Sequence, residues 1–387
     1  MRWDADAGAA RRPKSRHDPD CAALRYGSEH GFANLDGRLG VRRRMHVVDG
    51  SGQLTVPAYD MRAVELTALT AATISTAPPD PVTAYITSQG TNSVTPIAVA
   101  TNTARRSSIP VGSNPVGVAI TPDGKTAYVT NDLLSGTVTP IAVATNAPGR
   151  PIPVGGFPVG VAITPDGRTV YVANRGSNSV TPIPVATNTA GHPIPVGSSP
   201  VGIAITPDGK TVYVTNELSG TVTPITVATR IPGRPIPVGS LPVGIAITPD
   251  GGTVYVTNVL SHTVTPITVA TNTPGIPIPT RPSPNGIAIT PDGTTAYVTS
   301  LNSGSGTVTP IVLATNTPGS PISVGSDPAG VAITPDGNTA YVTNFSNGTV
   351  TPIAVATNTP GRPIPVGSFP FGIAITPAPC VRSDDGE

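Results

Sequence analysis

The sequence predicts an all-β chain folded as a seven-bladed β-propeller of four-stranded antiparallel blades, closed by a C-terminal strand that joins the first blade. Three observations predict it. "Y-V-T-N" or a close variant begins at Tyr85, Tyr128, Tyr171, Tyr213, Tyr255, Tyr297 and Tyr341, at intervals of 43, 43, 42, 42, 42 and 44 residues. Each interval holds four short runs rich in β-branched residues, separated by Pro, Gly and Asn turn signals and free of any 3.6-residue periodicity. A four-strand unit of about 40 residues, repeated in phase, is the pattern of propeller blades, which bury their sheet faces only against one another.

Within one unit the elements follow in order. Strand A is "GIAIT" (Gly202 to Thr206), where small residues suit crowding near an axis. The turn "PDGK" has Pro second and Gly late, as tight turns favour. Strand B is "TVYVT" (Thr211 to Thr215), and "NELSG" leads to strand C, "TVTPITVAT". After "RIPGR" comes strand D, "PIPVG", whose Pro235 and Pro237 remove donors from an outer edge that could otherwise recruit another chain. Pro224 and its equivalents conflict with an interior strand C, because proline loses a ladder hydrogen bond there. Either a bulge or a strand starting after the proline would reconcile them.

The order of fragments predicts closure. The array opens with strands B, C and D (Val82 to Val111) and ends with an extra strand A (Phe371 to Thr376). Six whole blades and one shared between the two ends make seven. Thr73 to Ala77 competes for the same place, but "FGIAITP" matches the sister copies far better.

The strings "YVTN", "PVGIAITPDGKTVYVTN" and "SGTVTPI" resemble the YVTN-type β-propeller repeat family, over about Val82 to Pro377. That family includes archaeal surface-layer proteins and secreted or periplasmic bacterial propellers. More distant relatives include lactonase-type propellers and one that binds single-stranded DNA. The resemblance implies a ring-shaped binding module, secreted or at the cell surface. Relatives often carry an acidic residue in strand C. Here Ala98, Ala142, Pro184, Thr226, Thr268, Val312 and Ala354 hold that place, so no role of that carboxylate transfers.

Little in the repeats carries chemistry. Nine acidic residues lie between Val82 and Pro377, and six are turn aspartates of "TPDG". The others are Asp132, Glu217 and Asp327. His192 falls in a C–D loop and His262 in a B–C loop, on opposite faces, so they share no metal. The sequence implies no metal ligands and no cofactor. No Ser-His-Asp set, P-loop or dinucleotide fingerprint occurs. The net charge of +1 gives no field toward nucleic acid, and no apolar run is long enough for a transmembrane helix.

By strand alternation the B–C and D–A loops share one mouth of the ring, and positions there that vary between copies are free of folding duty. These ligand-binding candidates are Asn114, Asp132, Phe157, Arg175, Ser199, Glu217, Leu241, Arg281, Asp327, Phe345 and Phe369, with Ser283 at the same D–A place. The expectation is a non-catalytic scaffold that binds a protein or glycan, with no catalytic residue. The alternatives are a lactonase-like hydrolase, with or without metal assistance, using Glu217 and Asp327, and a nucleic-acid-binding propeller. Basic residues interleaved with turn aspartates at the opposite rim, and the lack of interleaved aromatics, argue against the last.

Residues 1–70 carry ten basic and six acidic residues in their first 44 and no strand pattern, which predicts disorder. Met1 is followed by no signal-peptide core, while 61–77 resembles a weak one, so translation could start at Met45 or Met61. The propeller is expected over 78–378 and a tail over 379–387. Cys21 and Cys380 lie outside the repeats and either pair or stay free.

Overall fold

The computed structural model describes residues 82–301 and 305–378, all within one unit, Pro78–Pro379. Seven antiparallel sheets follow in chain order, each running A–B–C–D. In the fourth blade strand A is Pro200–Ile205, strand B Thr211–Asn216 and strand C Thr221–Thr226. The outermost strand differs from the expected single segment. It is two dipeptides, Ile231–Pro232 and Ile236–Pro237, each paired with strand C.

That break accounts for the proline in strand C. Strand C runs straight through Pro224, which stands opposite Tyr213 of strand B. A strand residue directs its N–H and C=O to the same side. The Pro224 carbonyl faces outward and accepts from Gly233 N at 2.7 Å, so the missing N–H also faces outward, where strand D has turned away. No bond to strand B is lost. The same carbonyl bond forms in all seven blades, at 2.7–2.8 Å.

The core lies between blades. Seven apolar clusters each join two neighbours, as where Tyr171, Val180 and Ile194 of the third blade meet Val212, Val214 and Ile225 of the fourth. One of the seven joins Tyr341, Val350 and Ile364 of the last blade to Ala84, Ile86 and Ile97 of the first. The ring is therefore continuous. Strand A of the first blade is the C-terminal segment Pro370–Ile375, in register with strand B as Ala84↔Ile375, Tyr85↔Ala374 and Ile86↔Ile373. Thr376 fastens it: its N–H donates to Thr83 O and its Oγ1 accepts from Thr83 N, both at 2.9 Å. The competing segment Thr73 to Ala77 lies outside the described residues, as do the expectations for residues 1–70, for the tail beyond 378 and for the two cysteines.

Two devices repeat around the axis. The first explains the glycine of strand A. A Cβ on Gly202 would stand 2.1 Å from Val243 O of the next blade, and on Gly372 2.1 Å from Val116 O across the closure. A ladder shift falls beside this glycine, and a threonine of strand B fills the gap. Thr215 Oγ1 accepts from Gly202 N at 2.7 Å and donates to Val243 O at 2.9 Å. Five more blades repeat this bridge, through Thr87, Thr130, Thr257, Thr299 and Thr343. The third blade has Ala173 instead.

The second device is the strand B tyrosine, which is buried in every blade. Tyr213 donates to Asn272 Oδ1 of the next blade at 2.6 Å, and Tyr341 donates to Asn102 Oδ1, linking the last blade to the first. Burial, and then the charge of Asp336, push the Tyr341 hydroxyl up to about 12. Among the described residues no helix is long and apolar enough to cross a membrane.

Candidate functional site

Each D–A corner residue stands in the left-handed region: Asn114, Phe157, Ser199, Leu241, Ser283, Asp327 and Phe369 have φ of 52–58°. The turn demands it. In that conformation the corner carbonyl points at the B–C loop and accepts from its first N–H, in seven pairs at 2.9–3.1 Å: Asn114/Asp132, Phe157/Arg175, Ser199/Glu217, Leu241/Val259, Ser283/Leu301, Asp327/Phe345 and Phe369/Gln89. Left-handed backbone favours Gly, Asn and Asp and penalises Phe and Leu. Bulky side chains at these corners are held against the backbone's preference.

These pairs place ten of the eleven sequence-chosen candidates on one rim. Arg281, the eleventh, is exposed beside the fifth corner, where Ser283 N donates to His262 Nδ1 at 3.1 Å. His262 thus lies on this mouth, and His192 is exposed in the C–D loop of the third blade.

The polar side chains gather on one arc. Asp132 of the second blade accepts at Oδ2 from Arg175 of the third blade at 3.2 Å and from Asn114 Nδ2 at 3.3 Å. Its Oδ1 is buried without a partner. Burial pushes the Asp132 carboxyl up, against the opposing pull of the Arg175 guanidinium. Next along the ring Ser199 donates to Glu217 Oε2 at 3.0 Å. Arg175 therefore presents an exposed guanidinium, fixed on one side, on the blade between two carboxylate-bearing blades. The sequence did not reveal the Asp132–Arg175 pair. Its only signal is that both residues open successive B–C loops.

Asp327 stands in the seventh blade, with the fifth and sixth between it and Glu217, and accepts from Ser346 Oγ at 2.5 Å. Each of these two carboxylates is tied to a serine of its own blade. The aromatic side chains gather nearby: Phe345 lies 5.0 Å from Phe369 and 6.3 Å, edge-on, from Phe371, centroid to centroid. Among the described residues no three His, Cys, Asp or Glu side chains are grouped to hold a metal ion.

The opposite face is structural. Each turn aspartate binds its own turn, as Asp208 Oδ1 accepts from Thr206 Oγ1 at 2.6 Å and from Lys210 N at 3.0 Å. The bond from Thr206 leads the causes that hold this carboxyl below its ordinary value. Lys125, Arg168 and Lys210 pair with the aspartates of their own turns, largely in solvent.

No curated protein matches the sequence. Solved structures share the fold at low identity. A periplasmic gluconolactonase of Pseudomonas aeruginosa is 18% identical, with a TM-score of 0.63, covering 77% of this chain and 100% of that one. A Bacteroides uniformis protein provisionally assigned as a 6-phosphogluconolactonase is 17% identical, with a TM-score of 0.65 over 77% of this chain and 100% of that one. Hydrazine synthase of Kuenenia stuttgartiensis is 23% identical, with a TM-score of 0.62 over 67% of this chain and 88% of that one. These likenesses establish the propeller. The match that bears on activity is to a family model described as "Lactonase, 7-bladed beta-propeller", over residues 76–231. It overturns the expectation of a non-catalytic scaffold and favours the lactonase-like alternative. The chain is thus a seven-bladed propeller in which strands B to D of the first blade, the second and third blades, and most of the fourth match the lactonase propeller model.

Proposed function

We propose that this protein is a lactonase-like propeller hydrolase acting at the mouth formed by the B–C and D–A loops. The observation that carries the reading is the extent of the family match, since residues 76–231 contain Asn114, Asp132, Arg175, Ser199 and Glu217. The YVTN-type character of the repeats is part of the same reading, as a variant of the scaffold that holds these loops.

Opening a lactone requires stabilisation of the carbonyl oxygen as it gains charge, and removal of a proton from the attacking water. Arg175 supplies the first. Asp132 fixes its guanidinium, so the donors need little reordering as charge develops. Glu217 on the adjacent blade is the carboxylate that takes the proton. Water adds to the carbonyl carbon and its proton passes to Glu217. The ring C–O bond then breaks, the proton moves to the departing ring oxygen, and the product is a hydroxy acid. Asp327, in the seventh blade, is bound to Ser346 and is given no part in this scheme.

The test is pH-stat hydrolysis of glucono-δ-lactone and γ-butyrolactone by the purified chain. Arg175→Ala and Glu217→Gln should each lower kcat/KM by about 10²-fold or more, the usual scale for losing an oxyanion donor or a general base. Rates equal to wild type in both variants would remove this assignment.

A further inference from the structure

We infer that the substrate is a lactone bearing an apolar substituent, an alkyl or aryl group, that meets the phenylalanine patch on the mouth that also carries the ion pair; this rests on the lactonase reading above. Four of the protein's five phenylalanines, Phe157, Phe345, Phe369 and Phe371, belong to this mouth. Phe369 remains 47% exposed although its backbone is left-handed at φ 56°. The corner turn imposes that backbone on whatever residue stands there, and it leaves the Phe369 ring accessible to a ligand at the mouth.

A continuous string of contacts joins that patch to the charged arc. Gly90 of the first blade lies against the Phe369 ring, where an added Cβ would stand 2.9 Å from the ring edge. The loop of Gly90 ends at Asn92, whose Oδ1 accepts from Asn114 N at 2.9 Å. Asn114 in turn binds Asp132, and Asp132 holds Arg175. Counted from Phe345 of the seventh blade, which lies against Phe369, the path crosses the seventh, first, second and third blades in order, with phenyl rings at one end and the guanidinium at the other. Six of the nine large apolar side chains left exposed among the described residues lie on this face: Leu133, Leu134, Phe157, Leu218, Leu260 and Phe369. A sugar lactone, polar all round, would leave this surface unused. A lactone bearing an apolar substituent would use both the guanidinium and the apolar side chains of this mouth.

The experiment compares kcat/KM for γ-lactones of four, eight and twelve carbons, with glucono-δ-lactone alongside, in wild type, Phe369→Ser and Phe369→Leu. Each buried methylene is worth roughly threefold to fourfold in binding. The eight-carbon lactone should therefore exceed the four-carbon one by at least about tenfold, chiefly through KM. Phe369→Ser should flatten that dependence and Phe369→Leu should restore most of it. Should Phe369→Ser fail to fold, titration of wild type with the four- and eight-carbon lactams, which resist hydrolysis, must show the same preference. A chain that hydrolyses glucono-δ-lactone but shows no preference for longer lactones overturns this inference and leaves the lactonase reading standing. A chain that hydrolyses no lactone overturns both.

Discussion

Ala173 is the one place where the repeating threonine bridge is missing, and restoring it should stabilise the protein. In six blades a buried threonine hydroxyl accepts from the strand A glycine at 2.7–2.8 Å and donates to a carbonyl of the next blade at 2.6–2.9 Å. The third blade keeps the same backbone. A Cβ on Gly160 would stand 2.2 Å from Val201 O, within the 2.1–2.4 Å spread of the other glycines in this position. A hydroxyl introduced by Ala173→Thr therefore meets the same donor and acceptor without moving either blade. A net gain of about 1 kcal/mol is expected, the usual worth of a buried hydrogen bond. For a ring of about 300 residues the unfolding entropy is roughly 0.6 kcal/mol per kelvin, so the gain raises Tm by about 1–2 °C. The assay is calorimetry together with equilibrium urea unfolding. Ala173→Val is the control, having the same branching without the hydroxyl. If valine stabilises as much as threonine, the effect is packing and strand propensity, and the bridge contributes nothing. If threonine destabilises, the third blade is not equivalent to its sisters.

The remaining predictions follow from the same geometry. Gly202→Ala places a Cβ 2.1 Å from a neighbouring backbone carbonyl, so two blades must separate; a loss of about 3 kcal/mol or more is expected in urea unfolding, beyond the ordinary range for a single methyl group. Deleting Pro370 onward removes strand A of the first blade and its contacts with both neighbours, and should abolish the single cooperative transition; an unchanged melting curve would contradict closure by the C-terminal strand. At alkaline pH the raised tyrosines should govern stability. The folded Tyr341 keeps its proton up to about 12, whereas an unfolded tyrosine loses it near 10. The contribution is complete below pH 10 and is lost as pH rises through 12, because the unfolded chain then binds fewer protons. Unfolding midpoints should fall over that window together with tyrosinate absorbance, and Tyr341→Phe should lower the slope by about one proton.

The number of blades, their strand order and the side of the ring that carries the variable loops were all legible in the sequence. A period near 42 residues with four turn-bounded β runs has few solutions once each sheet must bury two faces. The C-terminal closure was legible for the same reason: "FGIAITP" repeats a pattern whose glycine fits only against a neighbouring blade's backbone. The break in strand D was not, because proline in strand C signals a missing donor without saying which side it would have faced. The charged arc and the aromatic patch were equally hidden. Asp132 and Arg175 stand 43 residues apart, and Phe369 is far in sequence from Gly90; they meet because the ring brings successive loops, and finally the two ends of the array, onto one mouth. Periodicity determines what each blade is. Which side chains face one another across blades depends on rotation about an axis that only the closed ring possesses.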